Sequence, residues 1–466
     1  MEQIWQKLKT TWHNAPDLIF FWILVFCIPF GTRSILGTLV LYSSTMFNEW
    51  TSAFLYGTDI LVVLILIFWL RRLARFHPTF AKHGRALNIL VLAFALIALV
   101  SAVLSPFWGL GIYGAVKLIE FGLIFLYGVY NIVTYRRRLL TCLLIFASGG
   151  IQAIIAIFQF INQSSLGLTL LGESPLGTYI PNVAEVVFAG EPILRAYGTL
   201  PHPNVLAYFL VISLFLGGYV FWRVREPYMR LSVTFLAGLQ FLALLLTFSR
   251  VAWLALGLGV IVAVIMYAII QRERPRTQKL WNPLAREFQQ KILWVCVILF
   301  LIMALSSIVV LAPLLDSRMT VADNEGDMAG SFRQYLNAKA LQFGTSAINI
   351  GWGPKSFVPM LTATENFTLP DWMKQPVHNV WLGIFSEIGM WGLIAFTGIL
   401  VVRVWQILKP KTKTVPRGTV SREAPDNLLR ALILGIIAAS VLVMFFDHYI
   451  LDVQQGSLAF FILLGL

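Results

Sequence analysis

The chain has 466 residues, 58% of them hydrophobic and 12% charged, against roughly 45–50% and ~25% in soluble domains. At about 20 residues per span, a dozen transmembrane helices would take up half its length. An integral membrane protein is the one class that fits; a soluble enzyme, a disulfide scaffold and a disordered chain are excluded.

The net charge of +13 would suggest nucleic acid in a soluble protein, but here the position of the charges matters more than their sum. No nucleic-acid partner is expected; the lipid bilayer is. Cys27, Cys142 and Cys296 lie within apolar stretches and have neither disulfide nor zinc spacing.

Residues 1–17 open the chain. Ile4, Trp5, Leu8 and Trp12 fall on one helical face with Lys7 and Lys9 nearby, the pattern of a helix lying on the cytoplasmic surface. Apolar windows at 18–40, 53–70, 86–104, 109–130 and 139–161 predict an N-terminal transmembrane bundle over 18–161. Pro29 and Gly31 predict that the first window is broken or partly re-entrant. A long external loop, 162–203, follows.

Transmembrane helices are predicted again over 204–313, in windows 204–222, 231–249, 251–270 and 291–313. A large external (periplasmic) loop spans 314–378, with a helix expected at 331–349. The C-terminal transmembrane helices, 379–466, hold windows 379–402, 428–447 and 454–466. The last window is short for about 30 Å of hydrocarbon, so it either starts earlier, from Tyr449, or continues past Leu466. No 10-residue alternating pattern argues for a barrel. The expected fold is therefore all-α and polytopic, with about 12 transmembrane helices and two long, ordered external loops.

Of the 35 Lys and Arg residues, 26 lie in segments on one side, from Arg71, Arg72 and Arg136–Arg138 to the 403–430 stretch. The positive-inside rule makes that side cytoplasmic, together with both termini. The exceptions are Arg33, Lys117, Arg195, Arg250, Arg318, Arg333, Lys339, Lys355 and Lys374. Anion binding is the simplest reason for them, since the guanidinium fork matches phosphate and stays charged. Arg250 stands at the only polar interruption, Thr247-Phe248-Ser249-Arg250, of a 40-residue apolar run, where the chain must turn. It is either a headgroup anchor at a tight turn or a cation aimed at a lipid phosphate.

Arg195 begins Arg195-Ala-Tyr-Gly-Thr-Leu-Pro-His-Pro-Asn204. His202, fixed between two prolines, suits structural hydrogen bonding at least as well as catalysis, and Asn204 can cap the following helix. Arg333 starts the loop helix, where Phe332, Leu336, Ala340 and Phe343 repeat at helical spacing. Gly351-Trp-Gly-Pro-Lys-Ser-Phe357 predicts a tight turn from which Lys355 reaches phosphate or water. His378 precedes a span that Asn379 can cap, and a histidine there suits taking a proton from a hydroxyl. Asp447 and His448, with Asp452, stand at the external end of the penultimate window, near enough in topology to orient His378.

Lys117 and Glu120, one turn apart inside a span, are expected to neutralise each other. Asp323, Glu325 and Asp327 read as a solvated acidic turn, because Gly326 is misplaced for a calcium loop and Gln334 stands where its closing glutamate belongs. No phosphate loop, zinc motif or nucleophile elbow is present. No metal site and no cofactor are expected.

At RAYGTLPHPN (195–204), LLLTFSRVAWLAL (244–256), the Arg333-led helix ending in GWGPKSF (351–357) and HNVWLGIFSEIGMWGL (378–393), the sequence resembles the O-antigen ligase and O-antigen polymerase superfamily of bacterial membrane glycosyltransferases. Each motif alone is weak; four in the family's order, over roughly residues 110–450, are fairly specific. The resemblance implies a GT-C-like membrane fold and a glycan donor carried on undecaprenyl diphosphate. It places the active site at the outer face of the bacterial inner membrane and makes a glycan or lipid A-core the acceptor. It also implies metal-independent chemistry, with Arg250, Arg333 and, less directly, Arg195 on the diphosphate and His378 as general base. His202, Lys355, Asp447 and His448 would support them.

A polysaccharide polymerase of the same superfamily would share this donor chemistry. A polytopic lipid-glycan transporter or flippase is the competing class. It should show internal repeats and charges near mid-membrane in both halves, whereas here no repeat is visible and the unusual cations gather at one face.

Overall fold

The structure, a computed structural model, describes residues 15–39, 48–76, 84–178, 180–272, 283–320, 326–365, 370, 373–409 and 426–466. The interfacial helix expected at 1–17 lies outside these through residue 14, as do Asp323 and Glu325 of the acidic turn.

Each of the twelve apolar windows contains a helix. In chain order the elements are α1 (Pro16–Cys27), β1 (Arg33–Thr38), β2 (Ser52–Tyr56), α2 (Gly57–Phe76), α3 (Arg85–Leu104), α4 (Trp108–Asn131) and α5 (Tyr135–Asn162). Next come β3 (Glu185–Phe188), β4 (Glu191–Leu194), α6 (Pro203–Arg223), α7 (Pro227–Leu246), α8 (Arg250–Arg272) and α9 (Pro283–Thr320). The chain continues with α10 (Gly326–Ser346), α11 (Phe357–Thr364), α12 (Val380–Leu408), α13 (Asn427–Met444), α14 (Tyr449–Asp452) and α15 (Gln454–Gly465). Among the described residues nine helices, α3 to α9, α12 and α13, are long and apolar enough to cross a membrane. This is a multi-pass, almost wholly helical membrane protein. α2 has the length, but it carries Asp59 near one end and Arg71, Arg72 and Arg75 near the other.

The first window is broken near Pro29, as expected, and three other expectations need correction. The 18–40 window is not one span: its helix stops at Cys27, ahead of Pro29, and Arg33–Thr38 pairs antiparallel with Ser52–Tyr56, Arg33 opposite Tyr56. A second hairpin, β3–β4, turns on Ala189 and Gly190, both at positive φ, which suits a two-residue turn. The boundary at 313/314 falls inside α9, which carries Pro313 within it and continues to Thr320. The loop helix spans 326–346, not 331–349.

The third concerns α12, which is interrupted at Gly389 (φ 77°, ψ −173°). Backbone groups freed in a membrane helix must find partners inside the protein, and here the 348–353 segment supplies them. Met390 N–H donates to Ile348 (2.7 Å), while the Glu387 carbonyl accepts from Gly353 N–H and Ser101 Oγ (both 2.8 Å). A Cβ at Gly389 would sit 2.5 Å from the Asn349 backbone, so the break and the loop turn are built against each other.

α6 and the 12-residue α15 form the centre of the bundle; every residue of α15 through Gly465 is buried, and it packs on α4 and α6. The closest crossing is α8 on α13, where Gly259 and Gly435 meet: a Cβ on Gly435 would lie 2.4 Å from the Gly259 carbonyl oxygen. Small residues let helix backbones approach where lipid gives no hydrophobic drive.

The basic end of the bundle is tied together by its own arginines. Arg430 donates to the Ile407 and Leu408 carbonyls (2.8 and 2.6 Å) and Arg137 to Asn131 O (2.7 Å), so the last carbonyls of α12 and α4 are capped. Arg72 pairs with buried Asp17 (2.7 Å) and Arg223 with Asp426 (2.6 Å). These residues bond to one another, and the candidate site lies at the opposite helix ends.

Candidate functional site

The site starts from the 195–204 segment, which two α5 side chains hold rigid. Gln159 Oε1 accepts Gly198 N–H and its Nε2 donates to the Gly198 carbonyl (2.8 and 2.9 Å). Gln152 does the same to Thr199, through the backbone N–H and Oγ1 (2.8 and 2.9 Å). Paired amides of this kind satisfy an irregular backbone at the end of the bundle. The arrangement fixes Arg195, which is buried. Its Nε donates to the Thr247 carbonyl (2.7 Å) and Nη2 to Asn204 Oδ1 (2.8 Å). Arg195 thereby clamps the turn that leads into Arg250.

That turn is tight. α7 ends at Leu246 and α8 begins at Arg250, with Phe248 in a left-handed conformation (φ 50°). Arg250 stands exposed at the first position of α8, and Arg333 is exposed on α10. Neither forms an ion pair among the described residues.

His202, not Asn204, caps α6: its Nδ1 accepts the Asn204 N–H at 3.1 Å. Asn204 is released to bridge Arg195 and Asp447, donating from Nδ2 to Asp447 Oδ2 at 3.0 Å. Asp447, after the end of α13, lies between two histidines. His378 Nδ1 is 3.4 Å from Oδ1, and His448 Nε2 is 3.9 Å from the same oxygen. The two imidazoles meet edge to face at 5.1 Å between centroids, and Trp50 packs on the far side of His448 at the same distance and orientation.

Electrostatics follows from this crowding. Burial pushes the His378 imidazole below its ordinary pKa, Asp447 pulls partly the other way, and His448 and Arg333 add to the lowering. Burial alone would raise Asp447. The His378 contact and the surrounding imidazoles outweigh it and hold the carboxyl below the usual carboxylate range. A neutral imidazole beside an ionised carboxylate favours the Nδ1–H tautomer, leaving Nε2 as the basic nitrogen. That nitrogen is 3.2 Å from Gln375 Oε1, whose amide must turn its NH₂ inward or swing aside when a hydroxyl enters.

His378, Asp447 and His448 each offer a ligand atom within 4.8 Å of the others, a donor set that could hold a divalent cation. Lys355 lies in a left-handed turn (φ 60°), with its N–H donated to Glu387 Oε2 at 2.8 Å. Asn379 caps α12, accepting Leu382 N–H at 3.1 Å. Lys117 lies 3.3 Å from Glu120, as the spacing predicts, and it also pairs with Asp59 (2.5 Å) on α2, which the sequence did not reveal.

The structure therefore brings Arg195, His378, Asp447 and His448 into one polar cluster and places His202 at its edge, capping α6. The bridging role of Asn204, the Gln152 and Gln159 braces and Trp50 were missed. Glutamines inside an apolar helix are the one signal that could have pointed to the braces.

A polytopic helical membrane protein with a histidine–carboxylate cluster at the end opposite its arginine-rich ties is the class that fold and site define. Residues 234–397, which include Arg250, Arg333 and His378, match the family model described as O-antigen ligase. Over that stretch the chain is similar to the O-antigen ligase family. A comparison with curated proteins gave no match.

Proposed function

We propose that the chain transfers a glycan from undecaprenyl diphosphate to an acceptor hydroxyl at the external face of the bacterial inner membrane, in the manner of an O-antigen ligase. The observation that supports it most is the Asp447–His378 contact inside a cluster that Asn204 and Arg195 tie to the turn carrying Arg250. The acceptor oxygen attacks the anomeric carbon and gives its proton to His378 Nε2. The bond from that carbon to the diphosphate oxygen breaks, and undecaprenyl diphosphate leaves with the electron pair. Arg250 and Arg333 meet the negative charge that develops on it. Arg195, already bonded to Thr247 and Asn204, acts by positioning.

In this reading Asp447 and the imidazoles work without a metal, as an oriented base. Both termini and the Arg-rich ties face the cytoplasm, as the positive-inside rule directs, and the twelve helices form a GT-C-like bundle. The polymerase alternative shares every step and differs in the acceptor, which is then a second lipid-linked glycan. Purified protein supplied with undecaprenyl-diphosphate glycan and lipid A-core tests the proposal. Glycan joined to lipid A-core identifies a ligase, and lengthened glycan on the carrier identifies a polymerase. A chain that moves intact donor across a vesicle bilayer without joining sugars is a transporter, and the proposal fails.

A further inference from the structure

Two adjoining cavities open beside the histidine pair, and neither Arg250 nor Arg333 lines them. The first lies between the β1–β2 hairpin, the start of α4 and the 451–455 turn. It is partly open to the outside. The second lies between α4, the 354–357 turn and the start of α12, and His448 forms part of its wall. Lys117, Lys355, Leu451 and Asp452 border both.

The two shared cations differ. Lys117 is consumed by Asp59 and Glu120, whose outer oxygens both take hydrogen bonds from Gln454 (2.7 and 3.3 Å), so that network is closed. Lys355 has no ion-pair partner among the described residues; the Tyr113 ring, 5.9 Å away, is its aromatic neighbour. The nearby Glu387 carboxylate is bonded to the backbone N–H groups of Lys355 and Phe357 (2.8 and 3.2 Å). A non-glycine residue in the left-handed region is uncommon and costly unless its surroundings impose it. Here the half-buried Glu387 carboxylate imposes it, and the turn brings the Lys355 ammonium, whose charge Glu387 also feels, to the wall of both cavities.

The other walls suit a sugar. Trp50 and Tyr113 offer amphipathic ring faces, and Asp452 and Gln455 offer acceptors and donors for hydroxyls. From this cavity Trp50 leads through His448 to His378 by successive ring contacts.

We infer that the paired cavities are the acceptor subsite, and that the acceptor is a glycan bearing an anionic substituent near the accepting sugar, met by the Lys355 ammonium. This rests on the proposed transfer reaction, and it gives the acceptor a subsite that neither Arg250 nor Arg333 lines.

The test is equilibrium binding to the full chain in nanodiscs without donor, so it stands whether or not transfer is ever observed. The probes are phosphorylated lipopolysaccharide-core oligosaccharide, the same oligosaccharide after phosphate removal, and inorganic phosphate. A charge-assisted contact is worth about 10-fold or more in affinity. Lys355→Gln should therefore weaken the phosphorylated probe by about that factor, Lys355→Arg should retain it, and wild type should bind the dephosphorylated probe as weakly as the variant binds either.

Equal binding of both oligosaccharides by wild type overturns the inference. So does equal loss in Lys355→Gln and Lys355→Arg, or inorganic phosphate binding as tightly as the glycan. If Lys355→Gln instead weakens undecaprenyl-diphosphate glycan and leaves the core oligosaccharide unaffected, Lys355 belongs to the donor and the assignment is wrong.

Discussion

His378 Nδ1 lies 3.4 Å from Asp447 Oδ1, while the other oxygen of that carboxylate accepts Asn204 Nδ2 at 3.0 Å. Asp447, three residues past the end of α13, thus stands against His378, two residues before the start of α12, and through Asn204 it is linked to Arg195 and the α7–α8 turn. The first prediction tests this link by pH. A base must be neutral, so kcat/KM should fall on the acid side as His378 takes up a proton. Asp447 raises the His378 pKa against the lowering by burial. Asp447→Asn removes that influence, so the acid limb should move to lower pH while the plateau drops by about 10²-fold or more. A limb that stays in place, or moves to higher pH, contradicts the contact.

Stability should respond to acid in the same sense. The folded pKa of His378 and that of Asp447 both lie below their ordinary values. The unfolded chain then binds more protons on acidification, and stability must fall with pH. Loss should begin as pH drops through about 6.5, the ordinary histidine value, and continue through about 3.9, the ordinary aspartate value. His378→Gln should shrink the first phase, leaving the part from His202, which burial also holds below its ordinary pKa, and should weaken the Asp447 phase as well. A melting temperature that rises between pH 7 and pH 5 would contradict the sign of the His378 shift.

The exposed cations make a third prediction. Arg250→Lys keeps the charge but loses two-pronged geometry, and Arg333→Ala loses both. Each should lose most transfer activity at unchanged membrane expression, and chelators should leave the wild-type rate unchanged. Near-normal turnover in both variants reduces these arginines to anchors, and a chelator-sensitive rate turns the His378–Asp447–His448 cluster into a metal site.

The break in α12 yields a fourth. An alanine at Gly389 must hold φ near 77° with its Cβ against the Asn349 backbone. The conformation alone costs about 1–3 kcal/mol, and the contact adds to it. Gly389→Ala should lower the melting temperature in detergent well below that of Gly109→Ala, where a Cβ meets nothing within 4 Å. Equal melting temperatures would mean that the interruption is not imposed by the 348–353 turn.

The membrane helices were legible because burial in lipid leaves a plain hydropathy signal, and the turn at Thr247–Arg250 showed as the one polar gap in an apolar run. His378, Asp447 and Arg195 stood out as ionisable groups at helix ends on the side poor in basic residues. What stayed hidden depends on contacts distant in sequence. Nothing local marks Asn204 as a bridge to Asp447, 243 residues away. A single glycine in an apolar helix does not announce the interruption at Gly389, and the pairing of 33–38 with 52–56 is a contact between segments that sequence periodicity does not show.

The most direct measurement is single-turnover transfer by His378→Ala, with donor binding and melting temperature recorded on the same preparation. Transfer should fall by about 10²–10⁴-fold, the contribution of a general base, while undecaprenyl-diphosphate glycan binds as to wild type and the protein stays folded. His202→Ala, which removes the α6 cap, should lower stability more than rate. Normal turnover in His378→Ala, with a stable but inactive His202→Ala, would place the base on the 195–204 segment and contradict the account.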